Sequence, residues 1–245
     1  MNSLQQKTAV VTGAGQGIGR AVAMALAAGG ARVCCVSKTR SRVTECAHAI
    51  ELEGGKAVGV TADVTRESEI EEAFDSARKA FGAVHIVIAN AGVNLDRNTI
   101  EESSSEDFAA TVQVNLVGAY LTARAAIPHL RDGGGGHIVL IGSGLGLKGR
   151  ARTGAYACSK AGVHIMTQVL SEELKQHGIA VNELIPGPVK TELTRPVWDR
   201  PDYVFREAEW IKDPHEVTPL LLTLLSMDPP KSQTGQTFSL MARVV

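Results

Sequence analysis

Tyr156 and Lys160 stand four residues apart in a stretch whose pattern is helical. That spacing places both side chains on one helix face, one turn apart. A free tyrosine has a pKa of about 10, and a nearby ammonium favours its phenolate form. We therefore expect Lys160 to lower the Tyr156 pKa, so that Tyr156 can protonate a carbonyl oxygen or take a proton from an alcohol. Ser143, just after a predicted strand, offers a hydroxyl for the same oxygen, although it could also be an ordinary turn residue.

A glycine-rich loop follows the first predicted strand and opens a helix. Gly13 permits a tight turn, Gly17 lets backbone N–H groups approach a pyrophosphate, and Gly19 allows close packing of the helix on the strand. A glycine pattern alone is weak evidence, and the alternative is a turn without a ligand. The loop residues expected to contact a dinucleotide are Gly13, Gln16, Gly17, Ile18 and Gly19.

The end of the second predicted strand indicates which nicotinamide cofactor is bound. An acidic residue there binds the ribose 2′-hydroxyl of NAD, whereas a basic residue accepts the 2′-phosphate of NADP. This chain has Ser37, Lys38 and Arg40 at that place and no carboxylate. Cations beside a phosphate form charge-assisted hydrogen bonds, so we expect NADP(H) to be preferred, with NAD(H) possible. The alternative is that both cations belong to a solvated loop.

Short β-branched runs alternate with longer helical patterns along the whole chain. Such an order predicts an α/β fold, a doubly wound parallel sheet of the Rossmann type in three layers. We expect residues 1–245 to form a single domain, with an irregular substrate-covering loop at about 188–213. The predicted strands are Thr8–Thr12, Arg32–Ser37, Lys56–Thr61, Val84–Ala89, His137–Gly142, Ile179–Ile185 and Thr237–Leu240. The predicted helices are Gly17–Ala28, Arg42–Glu53, Glu67–Phe81, Ser105–Leu130 and Thr153–Gln176.

Composition excludes several classes of function. The 245 residues are 44% hydrophobic and 21% charged with a formal net charge of −1, which is typical of a soluble globular protein. A nucleic-acid or anionic-membrane partner requires a concentrated basic surface, so we expect neither. The four cysteines form no CxxC pair and lie near no histidine at a ligand spacing, so we expect no metal site. Buried reduced thiols then suggest a cytoplasmic setting.

With these motifs together, the chain resembles the short-chain dehydrogenase/reductase family over residues 7–240. The stretch Thr12–Gly19 is similar to the family's TGxxxGxG loop. Asn90, Ala91 and Gly92 are similar to its NAG motif, which supports the sheet and the adenine side of the cofactor. The other matching positions, in chain order, are Asp63 and Val64, Asn115–Gly118, Ser143, Tyr156, Lys160, Pro186, Gly187, Val189 and Thr191.

The resemblance implies a role for each of these residues. Asp63 would bind the adenine ring, Lys160 the ribose hydroxyls, and the segment from Pro186 to Thr191 the nicotinamide carboxamide. Asn115 would hold a water that returns protons, although it could also be a polar residue on an exposed helix face. Ser143, Tyr156 and Lys160 would be the catalytic serine, tyrosine and lysine.

The resemblance also implies an oxidoreductase with a small carbonyl or alcohol substrate. We expect an NADP(H)-dependent reductase of a ketone or a 3-oxoacyl thioester, similar to 3-oxoacyl-acyl-carrier-protein reductases. The alternatives are an alcohol, sugar or steroid dehydrogenase working oxidatively, and a non-catalytic nucleotide-binding protein. Relatives form tetramers or dimers through the helices that carry Asn115 and Tyr156, so a homo-oligomer is expected.

Three positions depart from the family pattern. Ala89 and Gly144 stand where asparagine and serine are frequent, and the chain ends in Phe238–Arg243 instead of an Asp-Gly-Gly sequence. The substrate side is marked instead by aromatic residues, which could cover an apolar substrate or dock short helices on the body. These residues are Trp198, Tyr203, Phe205 and Trp210. Three arginines of the same region could meet an anionic substrate, although solvated charges are the alternative: Arg195, Arg200 and Arg206.

Overall fold

A computed structural model describes residues 4–198, 210–229 and 233–241 of the chain. Within these residues, one seven-stranded parallel sheet has the strand order β3-β2-β1-β4-β5-β6-β7. The strands are β1 (Thr8–Thr12), β2 (Arg32–Ser37), β3 (Lys56–Thr61), β4 (Ile86–Ala89), β5 (Gly136–Ile141), β6 (Ile179–Ile185) and β7 (Thr237–Ser239). This is the predicted doubly wound, Rossmann-type sheet.

Helices connect successive strands, as parallel pairing requires. The helices are α1 (Gly17–Ala28), α2 (Arg40–Leu52), α3 (Glu67–Phe81), α4 (Ser105–Val112), α5 (Gly118–Asp132), α6 (Gly144–Leu147), α7 (Gly154–Leu174), α8 (Arg195–Trp198) and α9 (Thr218–Leu225). A π-helical turn, Gln113–Val117, joins α4 to α5, and 3-10 turns cover Lys175–His177 and Pro214–Val217. Among the described residues, no helix is both long and apolar enough to cross a bilayer.

Two buried clusters lie on opposite faces of the sheet and make the fold a three-layer structure. Side chains of α1, α2 and α9, such as Leu26, Ile50 and Leu221, pack on one face. Side chains of α3, α5 and α7, such as Phe74 and Leu130, pack on the other. Because both faces are covered, β1, β4 and β5 are buried along their whole length, which explains their continuous apolar sequences.

The strand order reverses beside β1, which pairs with β2 on one side and with β4 on the other. The connections from β1 and β4 therefore leave the sheet in opposite directions. A crevice opens between them at the carboxyl ends of the strands, where open α/β sheets bind their ligands. The predicted site residues follow β1, β2, β4, β5 and β6 at this edge.

The boundaries differ from the sequence-based expectations mainly in one helix. The single predicted helix Ser105–Leu130 is two α-helices with a π-helical turn between them, and it continues to Asp132 although Pro128 lies inside. The predicted strand at Val84 begins two residues later, at Ile86. Helix α2 begins at Arg40, two residues before its predicted start, which has a consequence for the cofactor site.

The predicted thiol environment is confirmed for Cys34 and Cys35, which are fully buried and free. Cys46 is buried beside them, with its Sγ 3.8 Å from that of Cys35. Cys158 is free and exposed.

Helix α1 begins unusually close to the turn that follows β1. A β-carbon built at Gly19 would overlap the carbonyl oxygen of Gly13. The missing side chain therefore allows the close packing expected from the glycine pattern. Gly149, in an exposed loop, has nothing within 4 Å of such a β-carbon.

We expect Gly19→Ala to lower the free energy of unfolding by about 2 kcal/mol, because the added methyl group must displace backbone. Thermal unfolding should then occur at a temperature roughly 6 °C lower. Gly149→Ala is the matched control and should unfold within a degree or so of the parent. Equal melting temperatures for the two variants would contradict the close approach of α1 to the turn.

Candidate active site

A cleft at the carboxyl edge of the sheet brings together most of the residues predicted from the sequence. The predicted residues that line it are Gly13, Gln16, Gly17, Ile18, Ser37, Lys38, Asp63, Val64, Asn90, Ala91, Gly92, Tyr156, Lys160, Pro186, Gly187, Val189 and Thr191. Four predicted residues do not line it: Gly19, Arg40, Asn115 and Ser143. Gly19 lies behind the loop, against Gly13.

The glycine loop has the shape that a pyrophosphate requires. Gly13 and Gly17 have φ values of +67° and +55°, in the left-handed region that favours glycine. A β-carbon at Gly17 would lie 3.2 Å from Cγ2 of Thr191, on the far side of the cleft. The glycine backbone of this loop leads into the N-terminus of α1. The free N–H groups at that end of the helix favour binding of an anion. The residues present therefore fit a dinucleotide.

Asn90 fastens the loop to the sheet at the point where the strand order reverses. Its Nδ2 donates to the carbonyl oxygen of Thr12 at 2.9 Å, and its backbone N–H donates to the Thr12 hydroxyl at 3.1 Å. The backbone N–H of Ala91 donates to the same hydroxyl at 3.3 Å. The ends of β1 and β4 are thus held together. This contact agrees with the first of the two roles expected for the motif, which is to support the sheet.

The end of β2 carries cations as predicted, but the second of them is not the expected residue. Ser37 and Lys38 line the cleft, whereas Arg40 is exposed and does not. Arg42 lines it instead and donates a hydrogen bond from its guanidinium to the Gln16 side chain. The reason is the geometry of α2. Because successive residues of an α-helix are rotated by about 100°, the side chains at positions 40 and 42 point in nearly opposite directions.

Asp63 lies where β3 ends, and its carboxylate is turned into its own loop. Oδ1 accepts hydrogen bonds from the backbone N–H and the hydroxyl of Thr65, at 2.9 and 2.8 Å. Burial raises the pKa of Asp63, but the Thr65 hydrogen bonds and the charges of Lys38 and Arg66 outweigh it, so the pKa is lowered. The group is therefore an anion at neutral pH, able to accept hydrogen bonds from an adenine.

Tyr156 lies half-buried in the cleft on the first turn of α7. Burial raises the pKa of Tyr156, while a hydrogen bond with Ser143 and the charge of Arg97 act against that rise. The expectation of a lowered Tyr156 pKa is wrong, because desolvation of the phenolate outweighs the hydrogen bond and the charge that favour it. Ser143 stands just after β5, and its Oγ accepts a hydrogen bond from the Leu145 N–H at 3.2 Å.

Lys160 lies one helical turn after Tyr156, as the spacing predicts, and is only 4% exposed. Its Nζ donates to the carbonyl oxygen of Ile141 at 2.7 Å and lies 5.9 Å from the centroid of the Tyr156 ring. Burial lowers the pKa of Lys160 to about 8, and the charge of Glu183 works against that fall. A pKa of about 8 leaves Lys160 mostly protonated at neutral pH.

Asn115 is buried in the π-helical turn and supports the cleft from behind. Its Oδ1 accepts from the Val93 N–H at 2.7 Å, and its Nδ2 donates to the Val93 carbonyl at 2.9 Å and to the Ser159 hydroxyl at 3.0 Å. The alternative of an exposed helix position is therefore wrong. The side chain joins the loop after β4 to α7, next to Lys160.

The segment after β6 forms the opposite wall. Gly187 has a φ of +69°, Val189 forms an isolated bridge with Lys212, and the Thr191 N–H donates to the Thr194 hydroxyl at 2.9 Å. The predicted substrate-covering loop is described only at its two ends. Its predicted aromatic and basic residues Tyr203, Phe205, Arg200 and Arg206 lie outside the described residues, as does the side chain of Trp198.

Two departures from the family pattern meet beside Ser143. A β-carbon at Gly144 would overlap the Met241 sulfur, and one at Gly187 would lie 3.4 Å from the Met241 Cγ. The methionine of the unusual C-terminal sequence thus occupies the space that a serine at position 144 would need. We did not anticipate this contact, because 97 positions separate the two residues in the sequence.

Comparison with known proteins agrees with this geometry. The family profile described as short chain dehydrogenase matches residues 7–202. The chain is 39% identical to an NADPH-dependent aldehyde reductase-like protein of Arabidopsis thaliana, described as chloroplastic, over 78% of this chain and 75% of the relative. It is 36% identical to carbonyl reductase family member 4 of Danio rerio, over 77% of this chain and 78% of the relative.

Among solved structures, a short-chain type dehydrogenase/reductase from Mycobacterium marinum superposes with a TM-score of 0.89 at 30% identity. The match covers 98% of this chain and 95% of that one. Family members are enzymes that use NAD(P)(H). The sequence match, the sheet and the tyrosine–lysine pair agree: the chain belongs to the short-chain dehydrogenase/reductase family and acts on CH–OH or carbonyl groups.

Proposed function

We propose that the protein reduces an aldehyde or ketone to the alcohol with NADPH, using Tyr156 as general acid. The observation that carries this proposal is the placement of Tyr156, with the Lys160 ammonium 5.9 Å from the centre of its ring, in the same cleft as the glycine loop. Relatives named as an NADPH-dependent aldehyde reductase-like protein and a carbonyl reductase support it.

A neutral Tyr156 is the form that the proposed reduction uses. Burial raises its pKa, so the resting side chain is a phenol, which can donate a proton to a carbonyl oxygen that is becoming an alkoxide. The Ser143 hydroxyl hydrogen-bonds the substrate oxygen beside Tyr156 and fixes the distance over which the proton moves.

Lys160 and Asn115 support the proton donor. Lys160, anchored on the Ile141 carbonyl, places its ammonium 5.9 Å from the centre of the Tyr156 ring and would bind the ribose hydroxyls of the cofactor. Asn115 holds the loop around Val93 in place, and the family resemblance assigns it a water that would return a proton to the site. The nicotinamide, when bound, supplies the hydride.

The preference for NADPH is assigned to the end of β2. Ser37, Lys38 and Arg42 surround the place where a ribose 2′-substituent would lie, and Gly15 packs between Ser37 and Arg42. Two cations and a hydroxyl favour a phosphate there through charge-assisted hydrogen bonds. Asp63 is the nearby carboxylate after β3, and its Oδ1 is already engaged by Thr65.

The narrower substrate class proposed is a 3-oxoacyl thioester, the type suggested by the family resemblance. A ketone of this kind places one carbonyl at Tyr156 and extends its acyl carrier group toward the mouth of the cleft. A reducing, cytoplasmic setting is proposed with it, because the thiols of Cys35 and Cys46 lie 3.8 Å apart and remain free.

Replacement of the proton donor tests the function directly. Tyr156→Phe should lower kcat by at least about a hundredfold, because the proton transfer is lost while the ring still fills its place. NADPH binding, followed by nicotinamide fluorescence, should remain within a few-fold of the parent. Tyr120→Phe, at an exposed tyrosine of α5, is the control and should keep full turnover. Near-normal turnover of aldehydes, ketones and 3-oxoacyl thioesters by Tyr156→Phe would refute the assignment.

The two arginines of α2 are expected to differ in their contribution to NADPH binding. Arg42→Ala should lower kcat/KM for NADPH roughly tenfold, about 1.4 kcal/mol of lost phosphate binding, and change it little for NADH. Arg40→Ala, two residues away on the opposite face of α2, should leave both values unchanged. A parent enzyme that used NADH as well as NADPH would overturn the proposed preference.

A homo-oligomer, dimer or tetramer, is proposed through α5 and α7. Ile165 and Val169 on α7 are large apolar side chains with about half of their surface exposed. Light scattering should give the mass of two or four chains. Replacing Ile165 and Val169 by glutamate should reduce that mass, whereas Thr44→Glu on α2 should not. A parent that scatters as one chain would contradict the proposal.

A further inference from the structure

Glu183 is a fully buried carboxylate on β6 that has no part in the proposed reaction. We infer that Glu183 is a positioning residue: a buried counter-charge, held by Thr237 and His164, that keeps Lys160 in its ammonium form during turnover. The inference rests on the proposed function, since it concerns the same site. It assigns a role to a residue outside the family motifs found in the sequence.

The environment of Glu183 is a costly one for a carboxylate. The residue lies on β6 and is fully buried. Its Oε2 accepts from the Thr237 hydroxyl at 2.7 Å and lies 2.8 Å from Nδ1 of His164. Its Oε1 is also buried and has no hydrogen-bond partner among the described residues. A buried carboxylate with a bare oxygen is costly unless a nearby positive charge compensates it.

His164 holds the other oxygen of the carboxylate from α7. Its Nδ1 lies 2.8 Å from Oε2 of Glu183, and its Nε2 lies 3.1 Å from the amide nitrogen of Gln168. The imidazole thus orients the carboxylate, and the bare Oε1 remains on the side of Gly142.

Gly142 makes room for the carboxylate beside the lysine anchor. A β-carbon at position 142 would overlap Oε1 of Glu183. The preceding residue, Ile141, is the one whose carbonyl accepts the Lys160 ammonium. The bare oxygen of Glu183 therefore lies under the floor of the cleft, next to the point where Lys160 is fastened.

The charged groups around Lys160 are few in the part of the chain that the structure describes. Tyr156 and His164 share α7 with it, one turn before and one turn after, and Glu183 faces it from β6. Arg97, from the loop after β4, acts on Tyr156. Burial lowers the pKa of Lys160 and the Glu183 charge raises it, so Glu183 is the group that opposes loss of the proton.

The first test is Glu183→Gln, which removes the charge and keeps the shape. The Lys160 pKa should fall, so the ammonium should lose its proton at a lower pH. Lys160 titrates before Tyr156, whose pKa is raised, so the alkaline limb of the kcat/KM profile should report Lys160. We expect that limb to move down by about one pH unit. Glu172→Gln, at an exposed glutamate of α7, should leave the limb in place.

The second test separates the charge of Glu183 from its packing. It adds a side chain at position 142 and removes the one at position 183. Gly142→Ser alone should lower the melting temperature, because its side chain meets the buried carboxylate. Adding Glu183→Ala should recover most of that loss, because the serine occupies the vacated space. The alkaline limb of the double variant should stay shifted as in Glu183→Gln. A stable double variant with the parent's pH profile would overturn the inference and leave Glu183 a packing residue.

A measurement without substrate keeps the inference distinct from the proposed function. The 13Cε resonance of Lys160, assigned by its loss in Lys160→Met, can be followed across neutral and alkaline pH in labelled protein. Its midpoint should be lower in Glu183→Gln than in the parent. A shifted midpoint in a protein that reduces no carbonyl would support the counter-charge and refute only the reductase. An unshifted midpoint would refute the counter-charge whatever the substrate.

Discussion

Parallel pairing of β1, β4, β5 and β6 is the constraint on which the site depends. Parallel strands finish at the same edge of a sheet, so residues that are far apart in sequence are delivered to one cleft. Thr12 and Asn90 are joined there by hydrogen bonds across the reversal in strand order. Any change that separated these two strand ends would take the glycine loop away from the tyrosine.

The chemistry of the cleft is governed by burial more than by direct ion pairing. Tyr156 and Lys160 are both withdrawn from water, and in each case the loss of solvation opposes the charged form. Tyr156 is held as a neutral phenol, and Lys160 needs compensation to stay an ammonium. The protein supplies this compensation from behind the cleft, through Glu183.

The sequence predicted the architecture well, because runs of apolar residues in strands and glycines at turns are local features. The strands Thr8–Thr12 and Ile179–Ile185 have the predicted bounds. The residues of the cleft were placed by motifs whose members stand at fixed offsets, so most of them line it. Arg42 was missed because its direction depends on the residue at which α2 begins, and helix starts are poorly determined by local sequence.

Other features depend on contacts that no local pattern reports. Glu183 appears in the sequence as one polar residue in an apolar strand, and its partners stand 19 and 54 positions away. Whether the Tyr156 pKa rises or falls depends on how much water reaches the hydroxyl, which spacing along a helix does not determine. The contact between Gly144 and Met241 likewise required the C-terminal strand to be in place.

The π-helical turn at Gln113–Val117 has an evolutionary consequence. A π turn corresponds to one residue inserted into an α-helix, with the hydrogen bonds around it rearranged. Deletion of a single codon in this stretch would restore a regular helix and remove the bulge in which Asn115 lies. Asn115 would then lose its alignment with Val93 and Ser159 while α4 and α5 stayed helical. A lineage could thus abandon this support of the site in one genetic step without losing the fold.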